Sequence, residues 1–175
     1  MIRHLDMDTI HKELEQVPEY EKQIMLQGVD GQEDPFFGVG RTSTFDNQEE
    51  EFVEPLFDMP YINLLMEELN MFRTRLMKME PNTCYSWHRD KTPRIHIPVV
   101  THQNCQFVLA EKDWDINSAS QSRHMEVGKI HRIDTTRLHT AFNGSDITRI
   151  HIVGCIDGED YGHTVICRSL RAWTH

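Results

Sequence analysis

The rhythm of hydrophobic and polar positions changes near residue 71. Before that point the apolar residues follow helical spacing. Asp8 reads as the N-cap of a short helix reaching Val17, and Ile62, Leu65, Met66 and Leu69 mark one face of an amphipathic helix between Pro60 and Asn70. Between them, Gln23 to Leu26 predicts a first strand. Residues 28–51 carry Gly28, Gly31, Pro35, Gly38 and Gly40, then the acidic run Asn47 to Glu51, which predicts a long loop. Long loops in compact domains often serve as lids or binding segments, and Phe36-Phe37 at its middle either closes over a ligand or packs onto the core. From Phe72 onward a period of two takes over. The predicted strands are Phe72 to Met79, Cys84 to His88, Arg94 to Val100, Cys105 to Ala110, His124 to Glu126, Lys129 to Asp134, His139 to Phe142 and Arg149 to Ile156.

Short strands with frequent turns predict a mainly β fold, a double-stranded β-helix or jelly roll of cupin-like type with flanking N-terminal helices. In that fold, ligands from two distant strands meet at an open mouth. The expected organisation is a single domain over 1–175, with a helical and loop elaboration in 1–71, a jelly-roll core in 72–157 and a tail in 158–175. No run has the apolar length of a membrane span, and Met1 to Asp6 lacks the apolar stretch of a signal peptide, so a cytoplasmic setting is expected. A net charge of −10 argues against general nucleic-acid or anionic-membrane binding, despite the basic stretch Arg168 to Arg171, and leaves small molecules or peptides as partners. Cys84, Cys105, Cys155 and Cys167 show no CxxC spacing and read as reduced packing thiols.

Candidate chemistry concentrates at His88-Arg89-Asp90. In extended chain, side chains i and i+2 share a face, so His88 and Asp90 can reach one ion while Arg89 points away. His4-Leu5-Asp6, His11-Lys12-Glu13 and His124-Met125-Glu126 have the same spacing, but only His88 lies inside the β region and just ahead of a polar-apolar strand, Arg94-Ile95-His96-Ile97. His139 supplies a third ligand. Two imidazoles and a carboxylate cover one face of an octahedral Fe(II) and leave roughly three positions open, enough for a bidentate oxo-acid and dioxygen. Asn143-Gly144-Ser145-Asp146 predicts a hairpin turn that sets His139 opposite Arg149 on the returning strand. A buried Arg149 then needs an anionic partner, which the far carboxylate of a dicarboxylate supplies.

With these residues in hand, the stretch from Arg73 to Asp157 resembles the aspartyl/asparaginyl β-hydroxylase-like branch of the Fe(II)/2-oxoglutarate-dependent dioxygenases, which includes free-proline hydroxylases. The resemblance implies that His88, Asp90 and His139 hold iron and are catalytic, that Arg149 binds 2-oxoglutarate, and that Arg94 and His96 of the Arg-x-His pair complete the cosubstrate pocket. Gly128-Lys129 and Pro81 also fit the pattern, whereas Met77 stands where some members carry a small polar residue. It implies hydroxylation of an unactivated C–H bond in an amino acid, or in an Asp, Asn or Pro residue of a peptide or protein, coupled to decarboxylation of 2-oxoglutarate to succinate.

Structural readings stand beside these roles. His96 and His151 also suit hydrogen-bonded interior histidines, Arg94 suits a structural ion pair, and Trp87 and Arg137 either line the mouth as substrate contacts, with His151, or merely cap it. His102, His131, His163 and His175 read as surface residues. A cupin-type metal oxygenase without 2-oxoglutarate is disfavoured because no His-x-His occurs. The remaining alternative is a non-catalytic jelly-roll module that binds metal or ligand.

Overall fold

The computed structural model describes residues 5–40, 46–112, 115, 117 and 120–158. In chain order the elements are α1 (Met7–Leu14), β1 (Gln23–Met25), β2 (Gln27–Gly28), a 3-10 turn (Glu49–Glu51), β3 (Glu54–Pro55), α2 (Pro60–Glu68), β4 (Phe72–Met79), β5 (Thr83–Cys84), β6 (Arg94–Val100), β7 (Cys105–Ala110), β8 (Ser120–Arg123), β9 (His131–Ile133), β10 (His139–Asn143) and β11 (Arg149–Cys155). A five-stranded sheet, β1-β4-β11-β6-β9, lies against a four-stranded sheet, β5-β10-β7-β8, and all pairings are antiparallel. The fold is the mainly β jelly roll expected, with two helices on the N-terminal side.

The helices begin where capping dictates. Asp6, extended at φ −80° and ψ 91°, accepts the Thr9 amide at 3.1 Å and the Thr9 hydroxyl at 2.7 Å. The cap is therefore Asp6 rather than Asp8, since a capping oxygen must reach forward from outside the helix. The helix ends at Leu14, short of Val17, in a frayed turn. Glu13 then caps the other helix, accepting the Tyr61 and Ile62 amides at 2.8 Å each. Pro60 occupies the first turn of α2, where a missing N–H costs nothing.

The two faces of the five-stranded sheet have opposite character. Leu76, Ile95, Ile97 and Ile152 pack outward against Ile10, Ile62, Leu65 and Met66, building the main hydrophobic core between sheet and helices. The alternate residues Arg75, His96, His151 and Val153 point between the sheets, where a smaller apolar cluster of Met79, Phe107, Leu109, Met125, Ile133 and Ala141 leaves room for a cavity. Strand β6 is therefore buried on both faces, yet polar on the inner one. β4 bulges opposite Gly154 on β11. Arg73 adopts φ +48°, and a Cβ on Gly154 would stand 2.4 Å from Met71 Cε and 2.8 Å from Thr74 Oγ1, so any larger residue there requires both side chains to shift.

The expectations for one turn and two strands need correction. The Asn143–Asp146 turn is a corner between sheets, not a hairpin: β10 belongs to the four-stranded sheet and β11 to the five-stranded one. The Asn143 side chain makes the corner, donating to the Met79 and Ile147 carbonyls at 3.0 and 2.8 Å and accepting the Ser145 amide at 3.0 Å. The strand expected at His124 to Glu126 lies earlier, at β8, whose four residues are all exposed and polar and give no periodic signal. Of Cys84 to His88, only Thr83–Cys84 forms a strand, and a single bridge pairs His88 with His139.

Within the long loop, Phe37 stacks on Phe52 at 6.1 Å while Phe36 is exposed, and Glu49 of the acidic run is buried. His131, expected at the surface, is buried, with its Nε2 beside the Glu126 carbonyl. Cys105 and Cys155 are buried free thiols and Cys84 is exposed, so packing describes only the first two. Cys167, His163 and His175 lie outside the described residues. Among the described residues no helix is long and apolar enough to cross a membrane.

Candidate metal centre

His88 and His139 are about 50 residues apart in sequence, yet they form one antiparallel hydrogen-bonded pair: His88 N donates to His139 O at 3.0 Å and His139 N to His88 O at 2.9 Å. That pairing fixes their backbones roughly 5.5 Å apart. Asp90 follows two residues on, its amide held by the Thr135 carbonyl at 2.8 Å. The ligand atoms of His88, Asp90 and His139 all lie within 4.8 Å of one another, with His139 Nε2 3.9 Å from Asp90 Oδ2.

Each imidazole has one nitrogen engaged in the same way. His88 Nδ1 lies 2.7 Å from the Ser86 carbonyl, and His139 Nδ1 lies 2.8 Å from the Arg137 carbonyl. A carbonyl only accepts, so both Nδ1 atoms carry the proton and both Nε2 lone pairs face the cluster. Such outer hydrogen bonds fix the tautomer of metal-binding histidines. Burial, the dominant influence, lowers the His139 pKa, keeping the ring neutral and able to ligate. The donor set thus fits a divalent metal with an open face. The other His-x-acid copies have structural work: Asp6 and Glu13 cap helices, and Glu126 pairs with Lys129.

A cavity of about 640 Å³ opens over this cluster, lined by the three ligand residues together with Arg75, His96 and Arg149, among others. Arg149 is 4 % exposed, and among the described residues it makes no ion pair; its Nε has no acceptor. Burial depresses its pKa, only weakly offset by Tyr85 and Cys105. Arg94 is buried, donating to Glu49 at 3.1 Å and approaching Asp90 Oδ2 at 3.3 Å through Nε, with Thr92 also on its guanidinium. His96 lines the cavity. His151 lies beneath it, its Nδ1 3.5 Å from that of His96. Burial first, then the Arg149 charge, holds both imidazoles well below their ordinary pKa, so both are neutral.

Trp87, Arg137 and His151 are not among the residues lining the cavity. Arg137 instead donates to the Ala110 carbonyl at 3.0 Å, while its own carbonyl orients His139. Met77 lines the cavity at the position where a small polar residue was looked for. Sequence reasoning passed over Arg73, Arg75 and Glu49. Glu49 Oε1 receives Arg73 at 2.7 Å and Arg94 at 3.1 Å, and its Oε2 accepts from Thr92 at 3.0 Å. The arginines stood out little in the sequence, because Lys78 carries the same charge in the same strand.

Fold and donor set together define a jelly-roll protein with a two-histidine, one-carboxylate site of metal-binding type. The chain belongs to the aspartyl/asparaginyl beta-hydroxylase family, whose model matches residues 4–157. No curated protein matches the sequence. Solved structures similar to it include a cupin domain from Bordetella pertussis Tohama I, at 15% identity and TM-score 0.40 over 49% of this chain and 81% of that one. Another is vicilin from Solanum melongena, at 16% identity and TM-score 0.41 over 60% of this chain and 27% of that one. A third is Drosophila melanogaster CENP-C in complex with CAL1, at 14% identity and TM-score 0.37 over 46% and 58%.

Proposed function

We propose that the protein is an Fe(II)/2-oxoglutarate-dependent dioxygenase that hydroxylates an unactivated C–H bond of an amino acid, or of an Asp, Asn or Pro-type residue in a peptide or protein. The observation that carries this reading is the conjunction of three inward-facing ligands, His88, Asp90 and His139, with an uncompensated buried cation, Arg149, around one cavity. Held by His88, Asp90 and His139, iron would supply the oxidising chemistry, with dioxygen and 2-oxoglutarate as co-substrates and succinate and CO2 as co-products.

The chain's own groups do the rest. Nε2 of both histidines and the Asp90 carboxylate would hold the metal, and the Ser86 and Arg137 carbonyls fix the two rings. Arg149 receives the distal carboxylate of the cosubstrate through charge-assisted hydrogen bonds. His96, neutral, offers a hydrogen bond at the cavity wall. Arg94 steadies Asp90. A chain of net charge −10 is read as acting on small molecules or peptides, not on nucleic acid or membranes, and as working in the cytoplasm.

Adding Fe(II) and then 2-oxoglutarate to the apoprotein without oxygen produces, on this reading, a visible metal-to-ligand charge-transfer band that is lost in His88→Ala and strongly weakened in Arg149→Ala. Iron binding with no band would overturn it and favour a non-catalytic metal-binding module.

A further inference from the structure

The buried arginines at the cavity differ in what neutralises them. Arg73 and Arg94 share Glu49, and Arg94 also meets Asp90. Arg149 meets the cosubstrate in the function proposed above. Among the described residues Arg75 has no such anion within ion-pair distance. It is 7 % exposed and lines the same cavity, and among the described residues its one side-chain hydrogen bond runs to a neutral amide, Gln23 Oε1, at 3.2 Å. Its Nε has no acceptor. Its cross-strand neighbours, Met25 and Val153, carry no side-chain oxygen.

Water or a carbonyl satisfies the hydrogen bonds of such a group but not its charge, and a buried cation without a counter-charge is costly. Burial lowers the Arg75 pKa to about 10, and the Arg73 and Arg94 charges push the same way against Cys155 and Asp90. Four buried arginines line the cavity wall, Arg73, Arg75, Arg94 and Arg149, besides the exposed Arg89, with Glu49 and Asp90 as the buried or half-buried carboxylates beside them. A divalent metal and a doubly charged cosubstrate cancel each other, so a positive excess persists in the loaded site.

We propose that Arg75 anchors a carboxylate of the substrate, making the substrate of this cavity a carboxylic acid. The proposal rests on the hydroxylase reading and names the substrate class within it. Arg75 and Arg149 serve different anions. In register Arg149 stands opposite Met79 and Arg75 opposite Val153, four residues along the strands, about 13 Å at 3.3 Å per residue. Arg75 lines the same cavity as the three metal-ligand candidates His88, Asp90 and His139. The carboxylate is either the α-carboxylate of a free amino acid or a side-chain carboxylate of a peptide, and the same cation serves both.

The test uses the Fe(II) and 2-oxoglutarate complex without oxygen and reads perturbation of the charge-transfer band. The probes are the L-amino acids, their α-carboxamides, and end-blocked peptides containing Asp or Asn at the same position. At least one acid is expected to shift the band and to bind about ten-fold or more tighter than its amide partner. Preference for an amino acid over its carboxamide identifies the α-carboxylate, and preference for the Asp peptide over the Asn peptide identifies the side chain. Arg75→Gln is expected to abolish that preference while binding 2-oxoglutarate within about two-fold of wild type, and Arg75→Lys to keep part of it. Because the band forms before any acid is added, it also reports that each variant is folded. Equal binding of acids and amides, a panel in which no acid responds, or loss of 2-oxoglutarate binding in Arg75→Gln overturns the proposal. A wild-type protein that takes up iron without forming the band defeats the underlying reading first, and this one with it.

Discussion

Glu49 is one carboxylate between two buried guanidiniums, and through Arg94 it reaches Asp90. Burial by itself would raise its pKa, but Arg94, Thr92 and Arg73 together hold it below the ordinary carboxylate range, so it is charged at neutral pH. Replacing Glu49 by Gln strips the counter-charge from both arginines and lets Arg94 lean on Asp90. The expected result is a loss of about 3 kcal/mol or more in urea unfolding and Fe(II) affinity about ten-fold weaker. A variant with wild-type stability and metal affinity would remove Glu49 from this role. Residues of this kind are hard to read in sequence. Glu49 sits in Asn47–Glu51, a run that looks solvated, and only the fold reveals that one member turns inward. His88 and Asp90 were legible because i, i+2 spacing has one geometric meaning in extended chain, whereas Arg75 looked like any strand residue.

At the scale of strands, alternation made β4, β6, β7 and β11 legible, because apolar residues every second position need only one buried face. It could not say which face held the helices. In β6 and β11 the polar set faces inward and the aliphatic set faces the helices. The corner at Asn143 was misread as a hairpin because turn residues report a reversal of direction, not which sheet receives the returning strand. The inward polar set has a pH consequence. Burial, chiefly, depresses His96, His131 and His151; His96 and His151 also face the Arg149 charge, His96 further faces His139 and Arg94, and His151 faces His124. A folded-state pKa below the unfolded value, roughly 6.5, means the unfolded chain takes up more protons as pH falls. Their stability contribution is full above that value and declines below it, by on the order of 1 kcal/mol per histidine at pH 5.5. Buried His139 is depressed in the same way, so urea titrations of the apoprotein at pH 7.5 and 5.5 measure the sum over four histidines, and His151→Gln is expected to shrink the difference by about a quarter. A pH-independent midpoint across that interval would refute it.

For the molecule as a whole, the outline of a jelly roll with N-terminal helices was readable from the change of period near residue 71, but the weight of those helices was not. They are not an accessory. Ile10, Ile24, Leu26, Met59, Ile62, Leu65 and Met66 are almost fully buried and supply the N-terminal half of the larger hydrophobic cluster, against Leu76, Ile95, Ile97 and Ile152 of the sheet. A fragment restricted to residues 72–157 would expose that aliphatic face, and is expected to lack a cooperative unfolding transition and to bind a hydrophobic dye. A sharply unfolding fragment would contradict the assignment. Because the large core lies outside the barrel and the chemistry inside it, stability and selectivity draw on different residues. Exchanges at cavity positions such as Met77 or Val153 leave the helix-facing core untouched, so descendants of such a chain are free to diverge in what they accept while inheriting one scaffold, the kind of partition that lets a lineage diversify its chemistry without refolding its ancestor.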